Sequence, residues 1–202
     1  MAFRAAFAPT FARKQTPSHL AFMNKYTFLF LALAALAGCN SNNTESRPKN
    51  LLSSNDFEQL EGWTADIPLP SLTKEKAHSG SYSIKVGSGI DYSNGFIGTL
   101  GSISPIRVSQ VLVKAWVFVP SGPTSAALVT QVMDPSVPGA KPVLWEALPL
   151  DKEAKTRHEW VPVEKSLTLP ANVGPGFKLY VYLWSGNTPN IAYIDDIQIL
   201  RP

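Results

Sequence analysis

From Asn50 to Pro202 the apolar residues fall in short runs, most of them alternating with polar ones, and no stretch sustains a helical repeat. Period-two runs bounded by Gly, Pro, Ser and Asn are the pattern of strands in an all-β sandwich. They predict strands at Ser81–Val86, Val111–Val119, Ala126–Met133, Pro142–Leu148, Glu159–Leu169, Gly176–Trp184 and Asn190–Leu200. Turn-forming clusters separate these runs at Pro120–Pro123, Pro135–Gly139, Pro170–Pro175 and Ser185–Pro189. The charged stretch Asp151–Arg157 allows a helical turn and no more. Gly95, Gly98 and Gly101 suit a twisted edge strand, since neither a phosphate loop nor a dinucleotide fingerprint surrounds them. A segment of about 150 residues is the usual size of one domain with a single core.

Two of the strands carry an unusual second face. In Val111–Val119 the odd positions are aliphatic, while Leu112, Lys114, Trp116 and Phe118 point the other way. In Gly176–Trp184 the residues Phe177, Leu179, Val181 and Leu183 share a face opposite Lys178, Tyr180, Tyr182 and Trp184. The aliphatic stripes are core. A solvated sheet face is ordinarily Thr, Ser, Glu and Lys, so rings among lysines leave two readings open. Either a loop covers the rings, or they line a groove for a ligand, with Trp145 and Tyr92 as further members.

The N-terminal region has a different pattern. Met23-Asn24-Lys25 precedes an apolar run, Phe28 to Ala37, which ends in Leu36-Ala37-Gly38-Cys39, and Cys39 is the chain's single cysteine. A positive start, a short apolar run and a small-residue cleavage site are the order of a secretory signal. The run is well short of the roughly 20 residues of a spanning helix. The four-residue junction resembles the lipobox of bacterial lipoproteins. That resemblance implies cleavage before Cys39, acylation of its thiol, and an exported, membrane-anchored envelope protein, with the outer membrane as the expected destination. A plain secretory signal followed by an incidental cysteine is the alternative. Met1 to Phe22 precede this signal, and translation starting at Met23 or a targeting extension would account for them.

The expected organisation is therefore a presequence over 1–38, a lipidated flexible tether over 39–49 and one β domain over 50–202. This division changes the charge argument. The full chain has 18 Lys+Arg and 15 Asp+Glu, but Arg4, Arg13, Lys14 and Lys25 all lie in the presequence, which holds no acid. The mature chain is left with 14 bases against 15 acids, or −1. No clustered basic surface remains for nucleic acid.

Three pieces of the domain resemble one family. They are Asn50–Glu58 with Gly62-Trp63, then Ala77-His78-Ser79-Gly80-Ser81-Tyr82-Ser83-Ile84-Lys85-Val86, and last Ala192-Tyr193-Ile194-Asp195-Asp196-Ile197-Gln198-Ile199. In this order they are similar to galactose-binding-like jelly rolls, the fold of many carbohydrate-binding modules. In that family a structural calcium often ties the first strand to the last. The resemblance places it here on Glu58 and Asp195, with Asp196, and on carbonyls of the His78–Ser81 loop. Calcium takes six to eight oxygen ligands, which such a set supplies. By alternation Asp195 shares a core face with Tyr193, Ile197 and Ile199, and an inward carboxylate is costly unless paired, hydrogen-bonded or metal-bound. Backbone hydrogen bonds or a nearby lysine would serve as well as a metal.

Catalytic constellations are absent from the sequence. His78 and His158 stand in no metal-ligand spacing, Gly87-Ser88-Gly89 is not a nucleophile elbow, and Asp195-Asp196 are adjacent with side chains expected on opposite faces. The expected function is a non-catalytic envelope lipoprotein that binds a glycan. Trp116, Tyr180, Tyr182 and Trp184 would form the platform, with Lys114 and Lys178 beside it. The rival is a lipoprotein that buries the same face against a protein partner, since aromatics are also enriched at interface cores. For the anchor, Cys39→Ser is expected to abolish lipid-mediated membrane association and leave an unprocessed or a soluble form. Membrane fractionation with detection of the lipid adduct checks it.

Overall fold

The computed structural model describes residues 48–59 and 70–202. Cys39 with its lipobox, and Gly62-Trp63 of the first family signature, lie outside them. The described part holds ten strands: β1 (Leu51–Asn55), β2 (Leu72–Thr73), β3 (Ser83–Val86), β4 (Phe96–Thr99), β5 (Gln110–Phe118), β6 (Ala127–Met133), β7 (Leu144–Pro149), β8 (Trp160–Thr168), β9 (Lys178–Trp184) and β10 (Ala192–Leu200). Two single-turn helices, α1 (Leu100–Ile103) and α2 (Leu150–Glu153), complete the set. All seven predicted strands are present, and α2 falls in the stretch expected to allow a turn. Phe96–Thr99 is indeed an edge strand, pairing with β9 alone.

Every pairing is antiparallel, and the strands form two sheets. The first has the order β2-β3-β10-β5-β8, with β1 also on β10, and the second has the order β4-β9-β6-β7. The result is a jelly-roll β-sandwich. Its core is the sum of the predicted aliphatic stripes. Val111, Val113, Ala115 and Val117 of β5 and Ile194, Ile197 and Ile199 of β10 meet Leu128 and Val132 of β6 and Leu179, Val181 and Leu183 of β9, all buried. Lys165 of β8 and Glu146 of β7 occupy core-side positions at the two sheet edges. Their ion pair (2.8 Å), with a further bond from Lys165 Nζ to the Ala147 carbonyl (3.0 Å), closes that flank of the sandwich.

The last strand has a break that alternation does not show. β10 pairs with β5 from Tyr193↔Phe118 to Asp195↔Trp116, then resumes at Gln198↔Lys114, with a bulge between. Asp196 takes the left-handed conformation there, at φ 48°. The extra residue shifts the alternation by one. Tyr193 and Asp195 therefore share the outer face with Phe118 and Trp116, whereas Ile197 and Ile199 face the core. This corrects the placement of Asp195 on the core side.

The bulge also lies where two strands end. β3 pairs with Ala192–Ile194 and β1 with Ile197–Leu200, end to end on the same side of β10. Asp195 and Asp196 thus occupy a gap that no strand fills. Beyond β1 the chain end is clasped twice, Arg201 N–H donating to the Asn50 carbonyl (2.8 Å) and Asn50 Nδ2 to the Arg201 carbonyl (2.9 Å).

Ile194→Ala, at 1% exposure, is expected to cost about 2–5 kcal/mol in urea denaturation, the usual loss for a buried aliphatic side chain. Ile97→Ala, at 56% exposure, is expected to stay within about 0.5 kcal/mol. Equal costs would show that the core does not lie between the sheets.

Candidate functional site

The rings predicted to form one platform are divided between the two sheets. Lys114 and Trp116 stand on β5 in the first sheet, and Lys178, Tyr180, Tyr182 and Trp184 on β9 in the second. Each set faces away from the shared core, so the two look out from opposite sides of the sandwich. No single platform joins them.

On the first sheet a loop covers most of the aromatic face. Phe118 and Tyr193, Cα partners on neighbouring strands, are each 5% exposed and meet edge to face at 5.9 Å. Over them lie Lys76, 5.3 Å from the Phe118 ring, and Glu75, which accepts from the Tyr193 hydroxyl (2.8 Å) and from Lys85 (2.5 Å). Burial and the Glu75 carboxylate push the Tyr193 phenol up to about 12. Further along, His78 stacks on Trp116 at 3.9 Å and 14°. The covered-face reading therefore holds for this sheet, with Trp116 at the margin of the cover.

The loop is tied down by carboxylates. Asp195, fully buried, accepts the backbone N–H of His78 (2.7 Å) and Ser79 (3.2 Å) on one oxygen and that of Asp196 (2.8 Å) on the other. Asp196 reaches the same loop, its oxygens meeting His78 Nδ1 (2.5 Å) and the Ser79 hydroxyl (2.8 Å). The bulge thus turns both acids to one segment, where opposite faces were expected. Glu58 accepts the N–H of Ser81 and of Tyr82, both at 2.7 Å. Gly80 is required beneath it, because its φ is +57° and a Cβ would lie 2.4 Å from Glu58 Cδ.

Glu58, Asp195 and Asp196 do meet the loop that the calcium expectation named, but the loop presents N–H donors to Glu58 and Asp195. A calcium cage needs convergent oxygens, and among the described residues no three His, Cys, Asp or Glu side chains converge as a metal group. The donor set fits a hydrogen-bonded tie and does not fit a cation.

The second sheet's outer face is open. Its strand positions are Ile97 and Thr99 on β4, Lys178, Tyr180, Tyr182 and Trp184 on β9, Ala127, Val129, Gln131 and Met133 on β6, and Trp145, Ala147 and Pro149 on β7. Ala127 and Val129, small and buried, lie beneath the rings of this face. Trp145, 47% exposed, meets Trp184 edge to face at 6.2 Å. Tyr92, 62% exposed on the loop before β4, meets Tyr182 at 6.1 Å and 61°. Gly95 leaves room for this arrangement, since a Cβ there would lie 2.8 Å from that of Tyr182.

Polar groups on this face are few and connected. The Tyr182 hydroxyl donates to Gln131 Oε1 (3.1 Å), which leaves the carboxamide NH2 free to donate outward. Burial raises the Tyr182 phenol, and a hydrogen bond with the Trp145 side chain opposes the shift. Lys178 is the one charged side chain at these strand positions. Trp145 and Tyr92, unplaced by sequence, belong here. Gln131 was missed. Thr130 and Gln131 are adjacent polar residues in one apolar strand, and alternation cannot say which of the two points outward.

Residues 23–40 match the model of the prokaryotic membrane lipoprotein lipid attachment site. The match contains Cys39 and marks the chain as a membrane-anchored envelope lipoprotein. No curated protein sequence matches the chain significantly. Among solved structures, the chain resembles the CBM22-1 xylan-binding domain from Paenibacillus barcinonensis Xyn10C, at 20% identity and TM-score 0.50, over 75% of this chain and 94% of that one. It also resembles the C-terminal family 22 carbohydrate binding module of Clostridium thermocellum Xyn10B, at 18% identity and TM-score 0.50, over 77% and 95%. At these identities the likeness establishes the fold.

Burial pushes the Asp195 carboxyl from 3.8 up to about 6, against the amide donors that hold it down. Between those values the folded chain binds more protons than the unfolded one, so stability is greatest below about pH 4 for this group and is lost as pH rises through 6. Its ionisable neighbours are Asp196 and His78. Melting temperature is expected to fall from pH 5 to pH 7, and Asp195→Asn, less stable throughout, to flatten that slope. Melting curves of both proteins check it. The same curves in EDTA are expected to be unchanged, whereas a drop reversed by calcium would mean that the loop carbonyls turn inward around the ion.

Proposed function

We propose that this chain is a non-catalytic lipoprotein, anchored through acylated Cys39, whose domain binds a carbohydrate across the outer face of the second sheet. One observation carries the reading. Exposed and half-buried rings on β7, β9 and the Tyr92 loop gather on this face, and the Tyr182 hydroxyl holds the Gln131 carboxamide oxygen so that its amide donor stays free beside them. Sugar rings present C–H faces that stack on aromatic side chains, while hydroxyls take hydrogen bonds from fixed polar groups. Tyr180 and Lys178 complete the β9 edge of this face. Both solved relatives are described as binding modules, one of them for xylan, which supports the class of ligand. We assign the anchor to the outer membrane, a destination that sucrose-gradient fractionation tests.

A glycan array on the soluble domain from Lys49 onward is expected to show binding. Trp145→Ala is expected to weaken it at least about tenfold, roughly 1.4 kcal/mol, with little change in melting temperature because the ring is half exposed. Tyr182→Ala is expected to cost both affinity and stability. A domain that binds no glycan but retains a specific envelope protein on this face would replace the sugar with a protein partner.

A further inference from the structure

The covered face of the first sheet is not covered completely. Beside Trp116 lies a hollow of about 520 Å³, within the range of about 300–1,000 Å³ typical of small-ligand sites. Two adjacent cross-strand rows build it, Glu164–Lys114–Gln198 and Pro162–Trp116, with Asp196 at the bulge. We propose that this hollow is a second sugar site, taking a pyranose unit of a neutral glycan, and that the domain therefore has a ligand site on each of its two opposite faces.

The indole is set in advance for such a role. His78 stacks on Trp116 and does not line the hollow, so the indole is braced by a residue outside it. His78 is itself fixed by Asp196 (2.5 Å) and by Trp160, edge to face at 5.8 Å. A ring already braced loses little side-chain freedom when a ligand packs against it.

The polar groups suit an uncharged polyol. Lys114 Nζ and Glu164 Oε2 pair at 3.1 Å, which cancels their charges and leaves the pair able both to donate and to accept. Asp196 is engaged by His78 and Ser79, with lone pairs to spare. The Gln198 carboxamide is exposed and has no hydrogen-bond partner among the described residues. A lone anion would meet Glu164 and Asp196, and a lone cation would meet Lys114. Hydroxyl groups match every member. None of these side chains belongs to the second sheet, so the two sites stand on separate evidence.

The test is a titration of the soluble domain, its tryptophans labelled with 15N, with hexasaccharides of xylose, glucose and mannose. Each indole N–H reports its own site. The Trp116 resonance is expected to shift on its own binding curve and to keep that curve in Trp145→Ala. The exposed pair of changes Lys114→Ala and Gln198→Ala is expected to weaken the Trp116 response at least tenfold and to leave that of Trp145 unchanged. A Trp116 resonance that none of the three sugars moves, or whose shift vanishes in Trp145→Ala, overturns the second site. Silence at Trp145 and Trp184 with a responding Trp116 overturns the glycan site on the second sheet and leaves this one standing.

Discussion

The arrangement of both faces depends on one extra residue in the last strand. The left-handed turn at Asp196 lets β10 present isoleucines to the core at its C-terminal half while Tyr193 and Asp195 turn outward just before it. On the flank of this bulge β1 and β3 stop short of each other, and the unpaired backbone is met by a loop in place of a strand. Buried backbone polar groups and carboxylates must find partners. Here they find each other, with Asp195 taking three amide donors.

This local exchange decides which outer surface of the sandwich is free. The segment tied at Asp195, Asp196 and Glu58 runs over the first sheet, and its residues Glu75, Lys76 and His78 settle on Tyr193, Phe118 and Trp116. The rings of that sheet are packed as a second, thinner layer. No corresponding loop settles on β6 and β7 among the described residues, and Trp145 stays 47% exposed. The contrast between the faces follows from where the last strand is interrupted, since both sheets carry aromatic residues.

Alternation found the strands because burial on one side imposes a period of two wherever backbone pairing continues. It could not divide them between sheets. Trp116 and Tyr182 both sit opposite aliphatic stripes, and each stripe faces the same core, so outward residues from different sheets read alike while lying on opposite sides of the molecule. Asp195 was misplaced for a related reason, because one inserted residue reverses every later assignment and leaves no mark in composition. The family signatures did bring Glu58, His78–Ser81 and Asp195 to one locus. What they could not convey is the direction of the peptide groups, and N–H against C=O is what separates a hydrogen-bonded tie from a metal cage. Gln131 was hidden by its neighbour Thr130, which the core absorbs at 3% exposure.

The Asn50–Arg201 clasp has a mechanical meaning. A domain held through a lipid anchor on its N-terminal side takes up tension at its first strand. The two reciprocal bonds between Asn50 and Arg201 are the first that such a pull would load, ahead of the β1–β10 ladder. Bonds in a ladder pulled from one end fail in sequence, and this short strand would give way before the β5–β8 and β6–β9 pairings that hold the two outer faces. Under such a load the first strand would part from β10 before either outer face is disturbed.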